Sequence, residues 1–172
     1  MKLKFPKRKS IRLLRYDYSQ AGYYFITICA KDRRNLFGTI DVGTARYPLK
    51  LCFNGFPLCG RLLSSEVGQI IEAEIKKIDE IYEGVEIIKY VIMPNHVHII
   101  ISLNNESGRP QAVPTVSRIV NQFKGSISKK FGYSIWQSRF HDHVIRNESE
   151  YQKIWQYIDE NPIRWANDCY YT

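Results

Sequence analysis

The sequence has no hydrophobic run of membrane-spanning length. Even Val97–Ile101, broken by His98, falls far short of the roughly 20 residues that a crossing helix needs. No apolar stretch follows the basic N-terminus, so no secretory leader is expected. None of the four cysteines (Cys29, Cys52, Cys59, Cys169) are spaced as CxxC, which speaks against a zinc ribbon or a disulfide framework. Reduced thiols in a cytoplasmic protein are the expectation. There is no Walker A loop, no GxGxxG and no GxSxG, so nothing points to a nucleotide cofactor or to serine hydrolase chemistry. Repeats and low-complexity segments are also lacking. What remains, 172 residues with 44% hydrophobic and 24% charged, suits one soluble domain over residues 1–172 that buries its core without staples.

Acid is the scarce charge. Lys and Arg number 25 against 17 Asp and Glu, a formal net charge of +8. Residues 1–15 carry Lys2, Lys4, Lys7, Arg8, Lys9, Arg12 and Arg15 without one carboxylate, and read as a basic arm. This balance points to a polyanionic partner, nucleic acid ahead of an acidic membrane surface. The 12 tyrosines are enough to supply stacking platforms for unpaired bases, although most belong in a core.

Periodicity outlines the elements. Tyr23–Ala30 is β-branched and aromatic and reads as a buried strand. Leu36–Ile40 and Leu49–Phe53 read as short strands. Leu62–Ile81 has helical spacing and ends at Gly84. Val85–Met93 and His96–Leu103 form a strand pair around a Pro94-Asn95 turn, and the polar stretch Asn104–Pro114 is a loop. Thr115–Phe131 is an amphipathic helix, Ser134–Arg146 is short and mixed, and Glu148–Asn161 is the last helix, stopped by Pro162. Interleaved strands and helices with one hairpin predict an α+β sandwich, ferredoxin-like, with an antiparallel sheet and helices packed on one face.

The main chemical signal is Met93-Pro94-Asn95-His96-Val97-His98. On a strand, residues two apart share a face, so His96 and His98 project together as half of a divalent-metal site. Two hydrogen-bonded core histidines would give the same pattern. On the last helix Tyr157 and Asn161 are four apart and stack on one face. Tyr157 there is either a nucleophile or an amphipathic core residue. Asn161 is either a ligand or a plain helix end, with Glu160 a reserve ligand. His141-Asp142-His143 is a second pair, read as non-metal because no strand pattern forces its rings onto one face. Trp136, Gln137, Arg139 and Phe140 form a basic and aromatic cluster that suits single-stranded nucleic acid.

Several motifs in order resemble the single-tyrosine HUH transposases, most closely the REP-associated tyrosine transposases. They are Tyr16-Asp17-Tyr18-Ser19-Gln20-Ala21-Gly22 running into Tyr23, Phe25 and Thr27; Leu36-Phe37-Gly38; Val91 through His98; Phe123-Lys124; Trp136-Gln137 with Arg139-Phe140, Asp142-His143 and Ile145-Arg146-Asn147; and Tyr157-Ile158 with Asn161-Pro162. The resemblance covers about Arg15 to Trp165, with residues 16–165 as core and 166–172 as a C-terminal tail. It departs at Gly22-Tyr23-Tyr24, where the family has Gly-Thr-Trp, and at His141, where an aromatic is more usual.

The resemblance implies an enzyme that cuts and rejoins single-stranded DNA at hairpins through a 5′-phosphotyrosine. It implies His96, His98 and Asn161 as ligands of Mg²⁺ or Mn²⁺ and Tyr157 as nucleophile. Candidate DNA contacts are Arg12, Arg15, Tyr23, Tyr24, Arg118, Lys124, Trp136, Arg139, His143 and Arg146. Neither a membrane nor a nucleotide cofactor is expected, and monomer and homodimer both remain open. A hairpin-binding module without cleavage, and a phosphoesterase using water, are the alternatives.

Overall fold

The computed structural model describes residues 16–41, 61–104 and 114–171. Its elements, in chain order, are β1 (Gly22–Cys29), a 3-10 turn (Lys31–Arg33), β2 (Gly38–Asp41), β3 (Arg61–Ser64), α1 (Glu66–Lys76), α2 (Ile78–Ile81), β4 (Val85–Ile92), β5 (His96–Leu103), α3 (Val116–Phe131), β6 (His141–Ile145), α4 (Glu148–Glu160) and a closing 3-10 turn (Trp165–Asn167). The expected α+β class is what forms. Four antiparallel strands make the main sheet in the order β4-β5-β1-β6, while β2 and β3 pair separately. No described helix is long and apolar enough to cross a membrane.

The pleat divides the side chains of the central strands between two faces. Tyr24, Ile26 and Ile28 of β1, with Val97, Ile99, Ile101 and Leu103 of β5, join the core formed with α1 and α3. Phe25 and Ile100 turn the other way and pack against Ile154, Trp155 and Ile158 of α4. So α1 and α3 share one face as expected, whereas α4 covers the opposite one. The reason is a second, smaller apolar patch on the far side of the sheet. All eight residues of β5 are buried, because both faces of that strand are covered.

Local chemistry sets the helix limits. Ser65 accepts from Gly68 N, Thr115 from Arg118 N and Asn147 from Glu150 N, each as an N-cap. Gly132, at φ +74°, closes α3 in the left-handed conformation. The helix expected from Leu62 to Ile81 is shorter, because residues 61–64 pair with β2, Ser65 caps the start, and Lys77 interrupts it before α2. The strand expected at Leu36–Ile40 begins at Gly38. Leu49–Phe53 and the basic arm lie outside the described residues. The mixed stretch Ser134–Arg146 contains β6, hidden in the sequence by its polar His141-Asp142-His143 start.

Gly68 sits where α1 meets the chain before β2. A Cβ there would fall inside contact distance of the Phe37 carbonyl oxygen, a backbone atom with little freedom to yield. Gly68→Ala is therefore expected to destabilise the fold by about 1–3 kcal/mol, read as a lower urea midpoint with an unchanged slope.

Candidate active site

Antiparallel pairing assembles the site. Thr27 lies opposite His98, and Cys29 opposite His96. The 93–95 turn before β5 is held by backbone bonds from Ala30 N to Asn95 O (2.7 Å), Phe37 N to Pro94 O (2.9 Å) and Met93 N to His96 O (2.8 Å). These fix the strand end that carries the two histidines. His96 and His98 project to the α4 face, and both are buried. Their Nε2 atoms stand 3.0 Å apart. Tyr157 Oη lies 3.2 Å from His98 Nε2. Phe25 stacks on the His98 ring, with centroids 5.1 Å apart.

The outer nitrogens are oriented by partners that the sequence reading did not single out. Asn95 Nδ2 donates to the carbonyls of Arg33 (3.1 Å) and Tyr170 (2.8 Å). Its Oδ1 is then the acceptor for His96 Nδ1–H, at 2.9 Å. This leaves the lone pair of His96 on Nε2, aimed into the site. His98 Nδ1 lies 2.8 Å from Thr27 Oγ1. A hydroxyl in that position can accept from Nδ1–H, which likewise frees Nε2.

Burial holds both imidazoles neutral. It pushes His96 down to about 4 and His98 well below its ordinary value. Neutral rings are what metal ligation requires. The unfolded chain takes up these protons near pH 6.5, whereas the folded chain protonates His96 only near 4 and resists protonation of the more deeply buried His98. Stability is therefore full above about pH 6.5 and falls as the pH drops toward 4. Urea unfolding of chelator-treated protein across pH 4.5–7.5 should show this fall, and His96→Gln should make it shallower while the His98 share remains.

Asn161 ends α4, is 2% exposed, and its Oδ1 has no hydrogen-bond partner. A buried acceptor without a donor is costly unless something electropositive meets it. Asp168 is the other oxygen donor. Ligand atoms of His96, His98 and Asp168 all lie within 4.8 Å of one another. Two nitrogens held at right angles about 2.1 Å from an ion stand about 3.0 Å apart, close to the spacing of the histidine pair. Neutral imidazoles, an orphaned amide oxygen and a carboxylate together fit a divalent cation.

Burial, then the charge of Asp168, raises Tyr157 to about 12, while a hydrogen bond with the Asn161 side chain opposes the rise. The phenol is thus protonated at neutral pH, held beside the imidazole pair and 39% exposed. An open cleft of about 220 Å³ lined by Lys153, Gln156, Tyr157, Glu160 and Arg164 leads to it. Glu160 engages Gln156 and Arg164 instead of joining the histidine cluster.

The tail after Pro162 packs on the same site. Tyr170 lies against His96 with centroids 4.5 Å apart, and Trp165 does so at 5.9 Å. No periodic pattern marks Asp168, Tyr170 or Trp165 in the sequence. The one available signal was a cluster of aromatic and acidic residues after the last helix.

The family profile described as "Transposase IS200 like" matches residues 60–161, more than half of the 172-residue chain. The chain belongs to the IS200-like transposase family. The REP-associated tyrosine transposase of Escherichia coli K12 is 32% identical to it, over 86% of this chain and 70% of the relative. An uncharacterised protein of Haemophilus influenzae is 30% identical, over 96% of this chain and 93% of its own length. The solved structure of a REP-associated tyrosine transposase bound to a REP hairpin shares the fold. It superposes with a TM-score of 0.58 at 24% identity, covering 90% of this chain and 74% of that one.

In this IS200-like transposase the candidate DNA contacts divide by burial. Tyr23, Arg118, Arg139 and Arg146 are exposed. Tyr24 is fully buried and its hydroxyl donates to Gln20 O, while Trp136 is core, against Phe37 and Phe123. The Lys124 ammonium turns inward to the carbonyls of Gln137 (2.6 Å) and Ser138 (3.1 Å), so it anchors that loop. These three are structural here. Hydrophobic periodicity did not distinguish core aromatics from stacking platforms, nor an inward lysine from an outward one. His143 faces the α4 side and pairs with Glu150 at 2.7 Å. Its partner His141 shares that face, because β6 is a strand after all: His141 and His143 lie opposite Thr27 and Phe25. The expectation that nothing aligned these rings is corrected, although neither belongs to the cluster around His96 and His98. Arg12 and Arg15 lie outside the described residues.

Proposed function

We propose that this protein cleaves and rejoins single-stranded DNA beside hairpins, with Tyr157 as nucleophile and His96, His98 and Asn161 holding Mg²⁺ or Mn²⁺. The observation that carries this reading is the placement of the Tyr157 hydroxyl 3.2 Å from His98 Nε2, itself 3.0 Å from His96 Nε2. A hairpin substrate is supported by relatives named as REP-associated transposases, one of them solved with a REP hairpin.

Each residue has a physical task. The Tyr157 oxygen attacks the scissile phosphorus, and the phosphorus–O3′ bond breaks. The phenol proton is released, the departing strand end takes one up as a 3′-hydroxyl, and the 5′ phosphate is joined to the protein. Attack by a 3′-hydroxyl on that phosphotyrosine reverses the step. Because one phosphodiester is exchanged for another, joining requires no nucleotide cofactor. Asn161 hydrogen-bonds the phenol and favours its ionised form, against the burial that resists ionisation. A bound divalent cation supplies Lewis-acid polarisation of the phosphate and offsets its negative charge. Lys153 and Arg164 flank the cleft to Tyr157 and suit a phosphate path.

On the same sheet face as the histidines, Tyr23, Arg146 and Tyr151 line a cavity of about 350 Å³. An aromatic edge beside a guanidinium suits an unpaired base. Exposed Arg118 and Arg139 would add phosphate contacts.

The test is a hairpin oligonucleotide with a single-stranded flank, incubated with Mn²⁺ or chelator. Metal-dependent release of a fragment ending in a free 3′-hydroxyl, with the 3′-side label retained on protein, supports the reading. A freely migrating 3′-side fragment at the earliest times would replace it with hydrolysis by water. Tight hairpin binding without any cleavage would replace it with a binding module.

A further inference from the structure

Three neutral donors leave a dication short of compensating charge. An imidazole nitrogen and an amide oxygen carry no negative charge, so His96, His98 and Asn161 bring none to the cation. Hard divalent cations favour sites with anionic oxygen. The one carboxylate grouped with the histidine nitrogens, among the described residues, belongs to Asp168.

The position of Asp168 is built rather than incidental. Its Oδ1 accepts from Tyr170 N at 2.7 Å, and its carbonyl accepts from Tyr171 N at 3.0 Å, which curls the segment into a turn. Arg33 Nη1 donates to Cys169 O at 3.2 Å, and Asn95 Nδ2 donates to Tyr170 O at 2.8 Å. Asn95 is also the residue that orients His96. One side chain therefore ties a histidine ligand and the 168–171 turn to each other. Tyr170 lies over the His96 ring, and the Arg33 guanidinium sits 5.4 Å from the centroid of Tyr170. No Lys or Arg among the described residues forms an ion pair with Asp168.

We infer that Asp168 is a fourth protein ligand of the cation, and that cation binding and docking of residues 165–171 are coupled through it. The inference rests on the metal reading proposed above and extends it. A cation bound to both β5 and the segment favours the docked arrangement, and the docked segment raises cation affinity by the same factor. His96 and His98 alone would bind without involving the segment.

The test uses the full-length protein and Mn²⁺ alone, without DNA. Mn²⁺ is titrated while the free-ion electron paramagnetic resonance signal is followed, for the wild type, Asp168→Asn and His98→Ala. Asn keeps the shape and the oxygen that accepts from Tyr170 N, but not the charge. Affinity in Asp168→Asn should fall by at least about tenfold. Hydrogen exchange at Tyr170 N and Tyr171 N should slow on Mn²⁺ addition in the wild type and not in Asp168→Asn. A purely structural Asp168 would alter exchange equally with and without Mn²⁺ and leave affinity intact. Affinity within twofold of wild type, with metal-indifferent exchange, would overturn the inference. If that result came with loss of binding in His98→Ala, the histidine site would stand while the inference fell. Absence of Mn²⁺ binding to the wild type would remove both.

Discussion

Tyr157→Phe is expected to abolish strand cleavage, by on the order of 10⁴-fold or more, while the folded protein survives. The substitution removes one oxygen. That oxygen contacts His98 Nε2 at 3.2 Å and shares a hydrogen bond with Asn161. The ring itself meets Phe25 edge-on at 6.1 Å and His98 at 5.1 Å, contacts that Phe retains. Tyr157 is 39% exposed, so the lost hydroxyl costs at most about 1 kcal/mol of stability. Hairpin binding should stay within a few-fold of wild type. Among the described residues, Tyr170 is the phenol placed to substitute for the proposed nucleophile, since its ring also lies 6.1 Å from His98. Residual cleavage in Tyr157→Phe that disappears in Tyr157→Phe/Tyr170→Phe would transfer the role to Tyr170.

His98→Ala carries the second large effect. Truncation removes one of the two Nε2 donors, strips Thr27 Oγ1 of its partner and opens space beside Phe25. Cation affinity should fall by more than the roughly 10–100-fold that loss of an outer partner costs, and cleavage with it. Stability should fall by about 2–3 kcal/mol from the cavity and the unpaired hydroxyl. Thr27→Val separates the two causes, because it keeps the shape and removes only the Nδ1 partner. It should weaken Mn²⁺ binding by about 10–100-fold with His98 still present. Isothermal calorimetry with Mn²⁺, alongside urea unfolding, reads both quantities.

The parts of this site that were legible in the sequence are those where periodicity alone dictates direction. A strand places His96 and His98 on one face, and a helix brings Tyr157 over Asn161. Pairing between β1 and β5 then determines what stands behind the rings, and no local pattern announces that Thr27 lies opposite His98. Asn95 read as a turn residue because it follows Pro94. Its role in orienting His96 depends on carbonyls from Arg33 and Tyr170, 62 residues before it and 75 after it. Asp168 escaped for the same reason: the tail has no periodicity, and only tertiary contact brings it to the histidines. Tyr24, Lys124 and Trp136 show the opposite failure. Their types suit a nucleic-acid surface, yet core packing claims Tyr24 and Trp136, and the carbonyls of Gln137 and Ser138 draw the Lys124 ammonium inward. Polar β6 was hidden because its first three residues are all polar: His141 and His143 on the α4 face, and buried Asp142 opposite Ile26 on the core face.

Under the proposed mechanism Tyr157 becomes covalently joined to DNA. Peptide mapping of the protein–DNA adduct reads that bond at the residue level. The protein is incubated with Mn²⁺ and a hairpin oligonucleotide, denatured, digested with nuclease and protease, and analysed by mass spectrometry. A nucleotide remnant is expected on the peptide that contains Tyr157, formed with Mn²⁺ and absent with chelator. A remnant on another tyrosine, or cleaved DNA with no adduct at the earliest times, would contradict it.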